Sequence, residues 1–194
     1  MTAPRTETPN QAQPTGSLAA PYAPDPDTPR IYVACLAAYN DGQLHGCWID
    51  VEDEDSIWES VQAMLKSSPI PLAEEWSIHD YENFQGVTID ENDSFARVVE
   101  IAEFIGNCAG YGGKILENYG GDIEDAENAL ERYSGEYVSL AMFAQQLTED
   151  CGSKIPDNIS FYIDYDAMAR DMERNGDIFS IETGFQEVHV FWNN

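Results

Sequence analysis

The chain has 194 residues, 43% of them hydrophobic, with 10 Tyr, 8 Phe and 4 Trp. That is a folding composition for one ordinary domain or two to three small ones, because disordered acidic tails are poor in aromatics. Against 9 bases stand 36 acids, a net charge of −27, which argues against direct binding to nucleic acid or to an anionic membrane and in favour of a basic protein partner.

Residues 1–28 hold only four charged side chains, Arg5, Glu7, Asp25 and Asp27, and are rich in Pro, Thr, Gln and Ala. They read as a disordered leader or an over-long start. The fold is predicted to begin at the β-rich run "RIYVACLAAY", with "NDG" at Asn40 to Gly42 as a hairpin turn and "QLHGCWIDV" as the returning strand. "SIWESVQAMLKS" places Ile57, Val61, Met64 and Leu65 on one helical face, "SSPIP" stops it, and "EEWSIHDYE" alternates as a third strand. Residues 29–92 are thus a first, N-terminal α+β unit.

From Ser94 the texture turns helical. "SFARVVEIAEFIGNCA" carries apolar residues at Phe95, Val98, Val99, Ile101, Ala102 and Ile105 behind Ser94 as cap. Paired glycines in "YGGKILENYGGD" predict a short helix, and "DIEDAENALERY" opens with acids where a helix dipole favours them. Residues 93–134 form the middle unit. In residues 135–194, "YVSLAMFAQQLTED" is an amphipathic run and "NISFYIDYDAMARDMERNG" is largely helical and ended by Gly176. "DIFSIETG" and "FQEVHVFWN" then close the chain as strands. The predicted class is α+β, an elongated series of three small domains with no fixed-period repeat.

Cys35, Cys47, Cys108 and Cys151 are scattered, with no CxxC pair. Together with the lack of a signal pattern or of an apolar run near the ~20 residues of a membrane span, they predict a cytoplasmic protein with reduced, buried thiols. Cys35 and Cys47 facing each other across a hairpin is the alternative. His45, His79 and His189 are isolated, no nucleophile motif is present, and "GYGGK" lacks phosphate-loop spacing. No enzyme, cofactor or metal site is expected.

The acids cluster. "DVEDEDSIWESV" puts Asp50, Glu52, Asp53, Glu54, Asp55 and Glu59 into ten positions, with Arg30 and Lys66 the nearest bases. It is not a calcium loop, since its sixth residue is Asp55 and its twelfth Val61. Residues 67–96 hold Glu74, Glu75, Asp80, Glu82, Asp90, Glu91 and Asp93 without one Lys or Arg, and residues 115–131 hold Glu117, Asp122, Glu124, Asp125, Glu127 and Glu131 likewise. Glu124, Glu127 and Glu131 are spaced as a one-sided helical row. Ordinary surfaces intersperse both signs.

Residues 29–194 carry 33 acids and 8 bases, a difference of −25. Spread over the about 8,000 Å² of a compact globule of this size, that is about one net charge per 330 Å². Duplex DNA carries about one per 100 Å² on a cylinder of roughly 10 Å radius. Concentrated on one face, the protein's acids approach that density. Halophilic solvation is the competing explanation, but the leader has escaped acidification.

The stretches "RIYVACLAAYNDGQLHGCWID", "IPLAEEWSIHDYE", "LERYSGEYVSLAMFA", "FYIDYDAMARDME" and "FSIETGFQEVHVFW", in this order, resemble the ArdA-type antirestriction proteins of mobile genetic elements. The resemblance covers about residues 29–194. It implies a non-enzymatic, homodimeric DNA mimic that inhibits type I restriction–modification enzymes by filling the DNA groove formed by their specificity and modification subunits. The clustered acids would then stand in for phosphates. The family's antirestriction motif corresponds best to "ERYSGEYVSL", which makes Tyr133, Gly135, Glu136, Tyr137 and Leu140 candidates for the motif and dimer contact. Tyr137 and Phe143 as plain intrachain core is the alternative there. An acidic binding module or chaperone for some other basic protein is the alternative for the whole chain.

Overall fold

A computed structural model describes residues 27–108, 110–152 and 155–193. The predicted leader therefore lies outside the described residues, apart from Asp27 and Thr28.

Strands β1 (Arg30–Cys35), β2 (Gly46–Asp50) and β3 (Trp76–Glu82) form an antiparallel sheet in the order β2-β1-β3. Alternation along β1 buries Ile31, Val33 and Cys35 completely. On the other face Tyr32 meets Trp48 at 5.6 Å between ring centroids. The predicted first strand is shorter than "RIYVACLAAY": Leu36–Asn40 is a helix, α1, as the helix preference of its two alanines favours. The β1–β2 connection therefore runs through residues 36–45, wider than a two-residue hairpin at "NDG". Gly42 takes the left-handed φ of 77° just after α1.

Helix α2 (Glu54–Lys66) buries Ile57, Val61, Met64 and Leu65, the four residues its period predicted. Asp53 caps it by accepting the Ser56 N–H at 2.8 Å. Helix α3 (Phe95–Asn107) is capped by Ser94 and buries Phe95, Val98, Ile101, Ala102, Phe104 and Ile105. Val99, expected in that face, is only half-buried. Phe95 stacks on Trp76 at 4.2 Å and meets Trp58 edge-on at 4.9 Å, tying α3 to β3 and α2.

Helix α4 (Gly112–Asn118) is short, as predicted, and α5 (Ile123–Leu130) follows behind its cap Asp122. The glycines of α4 serve packing as well as chain breaking. A Cβ at Gly113 would lie 2.2 Å from the Gln85 carbonyl oxygen, so only glycine lets the helix approach that loop.

The second antiparallel sheet comprises β4 (Tyr133–Tyr137), β5 (Ile178–Gly184) and β6 (Glu187–Trp192) in the order β4-β6-β5. β5 and β6 were predicted; β4 was not, because a five-residue strand with an internal Gly and a register shift between Tyr133 and Gly135 carries little pattern. Between β4 and β5 run α6 (Leu140–Asp150, capped by Ser139), α7 (Asp157–Ser160) and α8 (Tyr165–Asn175). The stretch predicted as largely helical is thus interrupted at residues 161–164, and it ends at Gly176 with φ 78° as predicted.

The fold class is α+β. One buried cluster runs from β1 through α2, α3, α4 and α5 to Ile181 and Phe191 of the second sheet. A smaller one joins Phe143, Ile178, Val188 and Val190. All four cysteines are free thiols. Val33, not Cys35, pairs with Cys47 across the strands. Cys35 and Cys108 are buried as expected, whereas Cys47 is half-buried and Cys151 exposed.

Candidate acidic interface

Of the nineteen acids singled out from the sequence, Asp50 and Asp93 are half-buried and the other seventeen are exposed. Several hold local structure. Asp53 and Asp122 cap α2 and α5, Asp80 accepts the Tyr81 N–H at 2.8 Å, and Asp93 accepts the Asp90 N–H at 2.8 Å. The Ser56 N–H, with the Ser56 hydroxyl, holds the Asp53 carboxyl below the usual carboxylate range. A depressed folded-state value means that this cap contributes above the ordinary carboxylate range and is lost as pH falls through the lowered one.

Among the described residues only two ion pairs form, Arg30 with Glu82 at 3.6 Å and Arg174 with Asp171 at 3.6 Å. Glu82 is therefore the one singled-out acid that departs from the expectation of unpaired carboxylates. Other cations go to main-chain oxygens instead. Arg97 donates to the Gly121 carbonyl, Lys114 to the Glu182 carbonyl, and Arg132 to the carbonyls of Asn128 at 3.2 Å and Asn193 at 2.9 Å. Spending cations on neutral carbonyls leaves the carboxylates without counter-ions and their potential intact.

The acids are not one patch. Glu124 and Glu127 of α5 face Glu100 and Glu103 of α3 across a groove floored by Phe104, Ile123 and Leu130. Glu131, predicted as the third member of the α5 row, lies past the helix as its C-cap and does not line that groove. Glu100 and Glu103 were missed from sequence because they are the only two acids between Arg97 and Lys114, too few to stand out as an acidic block. Asp80 and Glu91 flank a second depression with Tyr39 and His79, and Glu117 edges a third beside Gly120 and Gly121. Asp50, Glu52, Asp53, Glu54, Asp55 and Glu59 cluster around the start of α2, while Glu74 and Glu75 precede β3.

The motif residues fall elsewhere. Tyr133, Gly135, Glu136 and Tyr137 lie on β4, an edge strand, and Leu140 opens α6. Gly135 has φ 134°, so a side chain there would be strained. The Tyr133 hydroxyl pairs with Nδ1 of the buried His189 at 2.9 Å, and Thr183 sits 3.2 Å from its Nε2. Burial first, then Tyr111, Glu136 and Tyr137, pushes the Tyr133 pKa up. Tyr137 meets Phe143 edge-on at 5.2 Å and donates its hydroxyl to the Ser134 carbonyl at 3.2 Å. Both tyrosines thus have intrachain partners, and Glu136 is exposed. Val138 and Met142, which follow in the chain, are 52% and 50% exposed, and Phe161 and Tyr162, which line a depression with Met142, are 91% and 85% exposed.

Among the described residues no group of three or more His, Cys, Asp or Glu side chains is set to hold a metal ion. Burial pushes the Cys47 and Cys108 thiols up, which keeps them protonated at neutral pH. No helix among the described residues is long and apolar enough to cross a membrane. A family model described as antirestriction protein (ArdA) matches residues 31–187. No curated protein matches the chain.

Proposed function

Since the chain belongs to the ArdA family of antirestriction proteins, a non-catalytic family that acts on restriction enzymes, we propose that it is a DNA mimic that inhibits type I restriction–modification enzymes. Its exposed carboxylates occupy the basic groove that their specificity and modification subunits offer to the duplex. The observation that carries this reading is the disposition of charge: seventeen exposed acids with Glu82 alone ion-paired, and cations directed at main-chain oxygens. Affinity for a purified type I methyltransferase is expected to fall steeply between low and physiological salt, and excess cognate duplex should reverse inhibition. Affinity indifferent to salt would point to an apolar contact instead.

The reading includes a homodimer built around residues 131–144. The outer edge of β4 has no strand partner among the described residues, the exposed Val138 and Met142 follow it in the chain, and Phe161 and Tyr162 line a depression with Met142. Such a dimer would carry the acidic faces of two chains into one longer rod. Within each chain the units are expected to end near residues 92 and 134; Tyr133 and Ser134 would then go with the C-terminal sheet, to which β4 is paired.

Met142→Glu, a change at an exposed position, should shift the protein towards monomer in sedimentation while the melting temperature holds, because a charge buried against an apolar partner is costly. A variant that remains as dimeric as the parent places the contact elsewhere. Tyr137→Glu is the poorer probe, since it would also disturb the packing against Phe143.

A further inference from the structure

We propose that Arg97 is a positioning residue of the acidic interface: its guanidinium, bonded to the Gly121 carbonyl, holds α5 at the distance from α3 that the four-carboxylate groove requires. The inference rests on the mimicry reading.

Arg97 lies in the first turn of α3, one turn before Glu100 and two before Glu103. Glu100 at i+3 is the natural ion-pair partner on a helix surface, yet no such pair forms. Nη2 instead crosses to Gly121, in the turn between α4 and α5. That turn is fastened on both sides. The Gly121 N–H donates to the Leu116 carbonyl at 2.7 Å, closing the end of α4. Asp122, the next residue, caps α5 by accepting the Asp125 N–H at 3.0 Å. Arg97 therefore connects the start of α3, through one carbonyl and one cap, to the first turn of α5 and so to Glu124 and Glu127. A half-buried arginine in this role takes no carboxylate out of the groove, whereas an ion pair to Glu100 would.

Charge and position make opposite predictions for one substitution. Arg97→Met makes the chain more negative, so charge alone predicts inhibition as strong as before or stronger. Loss of positioning predicts inhibition weaker by about tenfold or more, because a preorganised site left to drift by about an ångström loses most of its fit. Arg170→Met is the control: it removes the same charge from an exposed helix position on α8 and should leave inhibition unchanged or improved. Arg97→Lys keeps the charge and a donor that can reach a carbonyl, and should recover most of the loss. Inhibition is compared well below each melting temperature. If Arg97→Met is unfolded there, Arg97→Gln, with a shorter donor and no charge, takes its place. Inhibition by the neutral variant equal to or better than that of the parent overturns the positioning role while leaving mimicry standing. A parent chain that does not inhibit at all would instead remove the reading on which it rests.

Discussion

Converting Asp53, Glu54, Asp55, Glu124, Glu127 and Glu131 together to their amides is expected to weaken inhibition of a type I enzyme roughly a hundredfold, with the fold kept. Each carboxylate is exposed, and an exposed ion pair contributes roughly 0–1 kcal/mol. At about 0.5 kcal/mol apiece, six sum to about 3 kcal/mol, or about two decades in affinity. Glu54→Gln or Asp125→Asn alone should therefore change little. The fold should tolerate the set. Asn caps a helix about as well as Asp, so Asp53→Asn keeps the contact to Ser56. The favourable dipole contribution lost with Glu54 and Asp55, about 0.3–1 kcal/mol each, is offset by relieved repulsion among neighbours. The measurement is a cumulative series scored for inhibition and melting temperature. A graded decline fits a surface in which many small contributions add. Abrupt loss at one carboxylate, with stability unchanged, is how an active site behaves and would refute distributed mimicry.

Phe191→Ala should do the reverse, lowering stability while sparing inhibition wherever the protein remains folded. Phe191 is fully buried on β6, the central strand of the second sheet. It lies parallel to Phe179 at 4.8 Å and against Tyr133 at 5.0 Å, within the larger buried cluster. Truncating a buried Phe costs about 3–5 kcal/mol, a large share of the about 5–15 kcal/mol typical of a native domain. In a protein of this size that is roughly 10 °C in melting temperature. A loss under about 1 kcal/mol would mean that the site collapses around the gap and that the ring does not fasten the second sheet to Tyr111 at the start of α4.

Why some of this could be read from the sequence and some not follows from the physics of each element. α2 and α3 were legible because an apolar stripe at helical period, a capping residue and a breaker all agree, and agreement across levels is what specifies structure. α1 was not, because five residues after a strand offer less than two turns of pattern. β4 was hidden by Gly135, whose left-handed φ makes room for a bulge and which looks in sequence like a turn. The acidic surface was legible as density but not as arrangement. Counting dense acidic blocks found Glu124 and Glu127 and passed over Glu100 and Glu103, two acids on a largely apolar helix that carries Arg97 in its first turn. Only its bond to Gly121 shows that the arginine is engaged elsewhere. Conversely, Glu82 counted as free until the fold brought Arg30 alongside it across β1 and β3.

The most direct test mixes the protein, a purified type I methyltransferase and its cognate duplex, and weighs the complexes by native mass spectrometry. If the acids occupy the duplex groove, the enzyme will carry either the protein or the DNA, and raising one will displace the other in proportion. A stable complex holding both on one enzyme would contradict the proposal that the protein takes the place of DNA.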